Sequence, residues 1–215
     1  MPVPRVLPLG ESAITIELGS ERSADLLREI HAAADQIRRE RFEYVEDVVP
    51  AYLALTVFYD PTKRSFAEIS KDLLEVIATN RQTIGSEKSR HHVIPVHYNG
   101  VDLDVVAATA GLTVADVVQL HSAKTYNVDL LGFVPGWAYL SEIDARLQIP
   151  RRQQPRPRVA AGSVAIAATQ TGVYPLDTPG GWHILGHTDV VMFDAGRDQP
   201  SLLRAGDTVK FERIA

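Results

Sequence analysis

The sequence predicts two domains, a small α+β domain of two layers followed by a mainly β domain, either a barrel or a sandwich. Residues 1–84 alternate short β-branched runs with two amphipathic helical patterns. Residues 82–90 are polar and charged, which is typical of a linker. After residue 126, short apolar runs are separated by glycine and proline, as in barrels and sandwiches. We therefore place the domains at 1–84 and 85–215.

The composition limits the class of protein. The chain has 215 residues, of which 45% are hydrophobic, and this is enough for packed cores. A formal net charge of −5 argues against general binding of nucleic acid. The absence of cysteine excludes disulfides, thiolate catalysis and cysteine-ligated metal centres. No window approaches the roughly 18 apolar residues of a membrane span, so we expect a cytoplasmic protein with no membrane partner.

The first domain is predicted to contain four strands and two helices. Its strands are rich in β-branched and aromatic residues. Its helices repeat apolar residues at a spacing of three and four, and Ser65 and Glu68 form a capping-box pattern before the second one. In chain order, the predicted elements are strands 5–9 and 12–18, helix 23–41, strands 44–49 and 52–59, and helix 65–80.

The second domain is predicted to begin with a strand and two helices. The strand, 92–98, contains Pro95, so we expect it to be an edge strand or the entry strand of its sheet. Helix 102–110 is followed by helix 113–124, which opens with a capping-box pattern at Thr113. The strands expected after these helices are 126–133, 162–168, 182–185, 189–193 and 208–213.

Two proline-glycine segments, 132–140 and 178–183, are predicted to form type II turns, because proline fixes φ at the first corner and glycine supplies a positive φ at the next. A tryptophan, a residue type common at interfaces and groove walls, follows each turn. We expect both turns, together with the arginine-rich stretch 151–158, to line one surface that is a shared site or a partner interface; the alternative is that both tryptophans belong to the barrel core. The candidate substrate or interface residues are Phe133, Pro135, Gly136, Trp137, Tyr139, Gln170, Thr171, Tyr174, Pro179, Gly180, Gly181 and Trp182.

An arginine-rich loop between these turns is the predicted anion site. The stretch 151–158 contains four arginines and no acidic residue. Guanidinium groups bind carboxylates and phosphates through paired hydrogen bonds. The alternative is a solvated loop spaced by its two prolines. The candidate catalytic residues are His121, Arg151, Arg156 and His183.

The histidines allow more than one role. His121 ends an apolar helical stripe, so it is either a buried histidine bonded to its neighbours or a proton donor or acceptor that faces a cleft. His183 and His187 have the spacing of two zinc ligands on a helix, but Gly181 and Gly186 favour a strand, and we expect no metal site. The patterns of phosphate loops, dinucleotide loops, zinc proteases and nucleophile elbows are absent from the sequence. The catalytic residues therefore stay unassigned.

A series of motifs occurs in a fixed order along the second half of the chain. They are His121 with Tyr126, 131–140 (LGFVPGWAYL), 150–152 (PRR), 155–156 (PR), 161–166 (AGSVAI), 170–175 (QTGVYP), 179–182 (PGGW), 184–186 (ILG) and the closing 205–211 (AGDTVKF). Together they resemble the family whose members are variously called the B subunit of 5-oxoprolinase, allophanate hydrolase subunit 1 and KipI. The resemblance covers about 90–215 by motif, and the first half by element order and length.

This resemblance implies a cyclophilin-like β-barrel for the second domain. It also implies a B subunit that works with a homologous C subunit and a separate A subunit to open 5-oxoproline to glutamate with hydrolysis of ATP, together with Mg²⁺, at the level of the complex. Two other activities in the family stay open: inhibition of a sensor histidine kinase by KipI-like members, and a carboxyltransferase-like role related to urea carboxylase. The resemblance by itself does not separate the three.

Overall fold

The structure is a computed structural model that describes residues 4–80 and 89–215. Two compact units divide the chain, Met1–Lys88 and Ser89–Ala215. The domain boundary predicted at 84/85 lies outside the described residues, as does most of the predicted linker. Both stay predictions.

Within residues 4–80, the first unit has the predicted four strands and two helices. They are β1 (Arg5–Pro8), β2 (Ala13–Glu17), α1 (Ala24–Glu40), β3 (Val45–Pro50), β4 (Ala54–Tyr59) and α2 (Phe66–Asn80). The strands form an antiparallel sheet in the order β1-β2-β4-β3. Ser23 caps α1 by accepting a hydrogen bond from the Leu26 amide at 3.1 Å. Both helices share one hydrophobic core with the sheet, in which Ile14 and Ile30 are fully buried.

The second unit contains the remaining elements of the described chain. They are β5 (His91–His97), α3 (Leu103–Ala110), α4 (Val114–Ala123), β6 (Thr125–Leu131), β7 (Ala138–Ser141), a 3-10 turn (Ala145–Leu147), β8 (Arg156–Val159), β9 (Ser163–Ala167), β10 (Gln170–Val173), β11 (Thr178–Gly180), β12 (His183–His187) and β13 (Thr208–Ile214). The two predicted helices and the capping box at Thr113 are confirmed.

Seven of these strands close a barrel in the order β10-β7-β6-β13-β5-β12-β9. The expected strand at 189–193 is wrong, because that stretch contributes only an isolated bridge between Phe193 and Ser201. Of the two positions expected for β5, the edge position is wrong, since β5 lies between β13 and β12, although β5 is the first strand of the barrel in chain order. Pro95 is tolerated there because β12 pairs with β5 only at His97, so most of that side of β5 needs no ladder hydrogen bond.

Helices α3 and α4 pack into the barrel core. Leu103, Val106 and Val117 are buried in one hydrophobic cluster with barrel residues such as Leu140 and Phe211. Among residues 4–80 and 89–215, no single helix is both long and apolar enough to cross a membrane; α3 and α4 pass that test only as a pair bent by 94°.

The Asp207 carboxylate ties the first strand of the barrel to the last one. It accepts hydrogen bonds from the Arg90 amide (3.1 Å), the Arg90 guanidinium (2.8 Å) and the Arg204 amide (2.9 Å), and it lies 3.1 Å from Nε2 of His92. Burial by itself raises the pKa of Asp207, but the hydrogen bonds from Arg90 and Arg204 outweigh it and lower the pKa below its ordinary value. This carboxylate therefore stays ionised and holds β5 beside β13.

We expect Asp207→Asn to lower the free energy of unfolding of the second unit by about 2 kcal/mol, because an amide cannot accept this set of hydrogen bonds or balance the arginine. Urea unfolding would measure the change. The matched control is Asp198→Asn, at an exposed position of the same unit, which should stay within about 0.5 kcal/mol of the wild type. Equal stabilities of the two variants would contradict the role of Asp207.

His121 lies inside the second unit and is completely buried. Its Nδ1 is 2.7 Å from the Tyr98 hydroxyl, and its Nε2 is 2.8 Å from Oγ1 of Thr171. The Thr171 hydroxyl donates to the Ala165 carbonyl at 3.0 Å, so its oxygen must accept from Nε2–H, and Nδ1 must accept from Tyr98. The ring also stacks on Phe211. Of the two roles considered for His121, this geometry is that of a buried, hydrogen-bonded histidine.

Burial lowers the pKa of His121 to about 3, against an ordinary value of 6.5. Below pH 6.5 the unfolded chain binds a proton at this histidine, whereas the folded chain binds one only near pH 3. The contribution of His121 to the free energy of unfolding is therefore complete above pH 6.5 and is lost as the pH falls. The expected loss is about 1.4 kcal/mol per pH unit within that range.

Unfolding of the wild type and of His121→Gln at pH 7 and at pH 5 would test this linkage. The variant should lose much of the difference between the two pH values, whereas the control His187→Gln, at a half-exposed strand position, should keep it. An unchanged pH dependence in His121→Gln would show that another group is responsible.

Candidate functional site

The first proline-glycine loop is a pair of tight turns that presents Phe133. Phe133 has φ of 73°, and the Val134 amide donates to the Gly132 carbonyl at 3.0 Å, which makes a γ-turn with a strained central residue. The next turn has φ of 80° at Gly136, as predicted. The Phe133 side chain is 62% exposed. The strained backbone of this loop therefore holds an aromatic ring in solvent.

The second proline-glycine segment is not the predicted turn. It contains β11, which pairs with β8, and neither Gly180 nor Gly181 has a positive φ. Glycine is needed for space instead, because a Cβ on Gly180 would lie 2.1 Å from the Tyr174 hydroxyl oxygen. The close approach of β11 to Tyr174 therefore requires glycine at position 180.

A cluster of aromatic rings covers the face of β9 that points away from the barrel interior. Trp137 lies at its centre, with ring centroids 4.7 Å from Tyr174, 4.9 Å from Trp182 and 5.8 Å from both Phe133 and Tyr139. Edge-to-face geometry predominates, which is favourable for aromatic pairs. We call these five residues the aromatic cluster.

The aromatic cluster packs on a floor of small residues. Ala165 and Ala167 of β9 are buried beneath it, and a Cβ on Gly172 would lie 3.1 Å from the Trp137 ring. Trp137 and Trp182 are only 2% and 5% exposed, and both are buried in this cluster, outside the barrel core in which the alternative had placed them. The Trp137 indole N–H is buried without a hydrogen-bond partner among the described residues.

The arginine loop has acidic partners that are distant in the sequence. Asp102, 2% exposed, accepts two hydrogen bonds from Arg156 (2.7 and 2.8 Å) and one from Arg152 (3.1 Å). The Ile184 amide of β12 donates to the same carboxylate at 2.8 Å. Arg158 pairs with Asp177 at the surface. The arginines are thus not an uncompensated cluster, and sequence reasoning missed Asp102 because it lies about 50 residues away.

Burial alone raises the pKa of Asp102, but the Arg156 hydrogen bonds, the Ile184 amide and the charges of Arg156 and Arg152 outweigh this effect and lower the pKa. Asp102 is therefore a buried anion that is fully bonded. Arg156, a predicted catalytic candidate, is placed by this ion pair in a structural position, and its truncation would leave a buried carboxylate short of partners.

Arg151 differs from its neighbours. Its guanidinium carbon lies 5.9 Å from the centroid of the Trp182 ring, and its side chain is exposed. On one side, the Pro150 carbonyl accepts a hydrogen bond from Nε2 of His183 at 3.0 Å. On the other, the Arg152 amide donates to the Gly181 carbonyl at 2.9 Å.

Because a carbonyl only accepts, His183 carries its proton on Nε2 and leaves Nδ1, which is buried and has no described partner, as an acceptor.

The structure brings some of the predicted site residues together and separates others. Arg151 and the aromatic cluster are adjacent, with Pro179 and Gly180 on the neighbouring β11. Gln170 begins β10 at a partly exposed position, whereas Thr171 is bonded to His121 in the interior. His121 therefore does not share the exposed surface with Arg151 in this conformation.

An open depression lies elsewhere, in the first unit. It has a volume of about 330 Å³ and is lined by residues that include Phe42, Arg64 and Asp72. Its charged groups are satisfied locally, since Arg64 lies 3.5 Å from Asp72, and Asp72 accepts a hydrogen bond from Tyr44 at 2.8 Å. Among the described residues, no three histidine or carboxylate side chains come together as metal ligands there or in the second unit.

Comparison with known proteins gives a consistent assignment. The family model for the carboxyltransferase domain, subdomain C and D, matches residues 4–203. The chain is 39% identical to the 5-oxoprolinase B subunit of Bacillus subtilis, covering 96% of this chain and 91% of the relative. It is also 39% identical to the 5-oxoprolinase B subunit of Escherichia coli O157:H7, covering 94% and 93%.

A solved structure agrees with these relatives. The crystal structure of TTHA0988 superposes with a TM-score of 0.84 at 38% identity over 94% of this chain. This chain spans 40% of that longer one. The chain therefore belongs to the carboxyltransferase subdomain C and D family, and the two curated relatives compared above are 5-oxoprolinase B subunits.

Proposed function

We propose that this chain is the B subunit of a cytoplasmic 5-oxoprolinase complex that opens 5-oxo-L-proline to L-glutamate with hydrolysis of ATP. The observation that carries the proposal is the similarity, over nearly the whole length of both chains, to proteins that bear the name of the 5-oxoprolinase B subunit. The partners are a homologous C subunit and a separate A subunit. The barrel is proposed to be of the cyclophilin-like type, and the first unit a two-layer α+β domain.

The chemistry explains why ATP takes part. A five-membered lactam resists attack by water, and ATP would supply a phosphoryl group that turns the lactam oxygen into a leaving group. The residues of this chain would contribute binding and electrostatic stabilisation, since negative charge develops at that oxygen. Arg151 fits the binding part of this role, because it is an exposed cation beside an aromatic ring. Mg²⁺ would accompany the phosphates of the nucleotide in the complex.

A site shared between partners accounts for what this chain lacks. The sequence contains no phosphate-loop pattern. His121 is enclosed, with both ring nitrogens bonded, and Arg152 and Arg156 are occupied by Asp102. The exposed part of the predicted site therefore offers an arginine and an aromatic ring without a general base, so the base is expected from a partner.

The two alternatives have less support. A KipI-like inhibitor of a sensor histidine kinase would need no lactam chemistry, and a carboxyltransferase-like component would need a biotin-dependent partner. The relatives that match at 39% identity carry neither name. Activity of the reconstituted complex separates the three.

We expect the isolated chain to show little or no 5-oxoproline-dependent release of ADP or glutamate, and to gain both with the A and C subunits. Coupled assays of glutamate and ADP on the single chain, on each pair and on the full set would measure this. Strong activity of the chain alone would contradict the shared site, and an inactive full set would contradict the proposed function.

Phe133 is the expected contact with a partner. Truncating a central aromatic residue at an interface typically costs about 2 kcal/mol or more, or roughly 30-fold in Kd. Phe133→Ala should therefore weaken association with the C subunit while leaving the thermal midpoint of the isolated chain nearly unchanged, because the ring is mostly in solvent. Titration calorimetry and thermal unfolding would measure the two effects.

The matched control for this test is Val101→Ala, at an apolar residue that is 73% exposed and lies before α3. Its association should equal that of the wild type. Normal association of Phe133→Ala would remove the first proline-glycine loop from the interface.

A further inference from the structure

Arg151 is the arginine of its loop whose charge no described side chain neutralises. Arg152 and Arg156 share Asp102, whose carboxylate already accepts four hydrogen bonds, counting that from the Ile184 amide. Arg158 is paired with Asp177. Arg151 forms no ion pair with any residue in 4–80 or 89–215. Of the four arginines in the loop, it is therefore the one with a free charge to offer.

The backbone on both sides of Arg151 is fixed. The preceding carbonyl, of Pro150, is held by His183 of β12, and the following amide, of Arg152, is held by Gly181. Both anchors lie next to Trp182, the residue over whose ring the Arg151 guanidinium lies. An exposed arginine loses rotamer entropy when it binds a ligand, and a side chain that already lies beside a ring on a fixed backbone loses less.

The N–H donors of Arg151 are available, because its guanidinium makes no hydrogen bond to any described residue. These donors form the fork that matches a carboxylate or a phosphate. The Tyr174 hydroxyl lies within electrostatic reach of the same charge. The ring of Trp182, the fixed backbone and the free N–H groups together make a pre-organised anchor for one planar oxyanion.

We propose that Arg151 is an oxyanion-binding residue that takes a carboxylate or a phosphate of the ligand through a bidentate hydrogen-bonded pair, with Trp182 as its support. The identity of that oxyanion rests on the proposed function, which offers two sources, the carboxylate of 5-oxoproline and a phosphate of ATP. The existence of the anchor rests on the geometry alone.

The test compares Arg151→Gln and Arg151→Lys with Arg158→Gln in the complex reconstituted with the A and C subunits. Arg158 is a matched control, since it lies in the same loop, is exposed and is paired at the surface. Arg151→Gln should raise KM roughly tenfold or more for one substrate, which corresponds to about 1.4 kcal/mol or more. Arg151→Lys should raise it less, because the charge remains without the fork. Arg158→Gln should leave both KM values unchanged.

The substrate affected identifies the oxyanion. A rise in KM for 5-oxoproline assigns its carboxylate, and a rise in KM for ATP assigns a phosphate. Unchanged KM values for both in Arg151→Gln would overturn the proposal. So would loss of assembly in Arg151→Gln but not in Arg158→Gln, because Arg151 would then hold an anionic group of the partner.

A second measurement keeps this inference separate from the proposed function. If the wild-type complex is inactive, the proposed function fails, and the anchor is then tested by calorimetric titration of the isolated chain with 5-oxoproline and with inorganic phosphate. Binding of either that weakens roughly tenfold or more in Arg151→Gln and not in Arg158→Gln supports the anchor. Absence of any Arg151-dependent binding overturns it.

Discussion

The buried Asp102 carboxylate is the interaction on which the arrangement of the second unit depends. It precedes α3 and accepts hydrogen bonds from the arginine loop and from the backbone of β12. Three segments far apart in the sequence are thereby held by one charge. A buried ion with every lone pair used is stable only as a complete set, because removing one partner leaves an uncompensated charge. The positions of the arginine loop and of β12 are thus determined together.

The same constraint divides the arginines by function. Because Asp102 takes up Arg152 and Arg156, these two become part of the scaffold, while Arg151 keeps its charge. The aromatic cluster is divided in the same way between scaffold and exposed residues. Its two tryptophans are buried against alanine and glycine residues, and only the ring of Phe133 is mostly in solvent. Within the described part of this face, what is offered to a ligand or a partner is small and specific: a cation and an aromatic ring.

Local patterns predicted much of this fold because their causes are local. Apolar spacing and capping residues indicated the helices α1 to α4, and the Pro135–Gly136 turn has the backbone that its two residues favour. The Pro179–Gly180 segment was mispredicted because glycine is required there by the close approach of the Tyr174 hydroxyl. The residues next to Gly180 in the sequence do not reveal this contact. The site was less predictable for the same reason: the acid that occupies the arginine loop lies about 50 residues earlier, so no spacing rule connects them. Periodicity locates His121 on a face of its own helix, and it does not say what packs against that face.

The parallel pairing of β5 with β13 also affects how the barrel comes into being. These strands are neighbours in the closed barrel, yet His91 and Thr208 are 117 residues apart in the chain. Topologies dominated by such distant pairings fold slowly, since the loop entropy is lost before the contact forms. During synthesis at about 5–20 residues per second, β5 would wait several seconds for the strand that completes its parallel pair. Until then the side of β5 that pairs with β13 has no partner, and an unpaired strand edge is a place where another chain can pair.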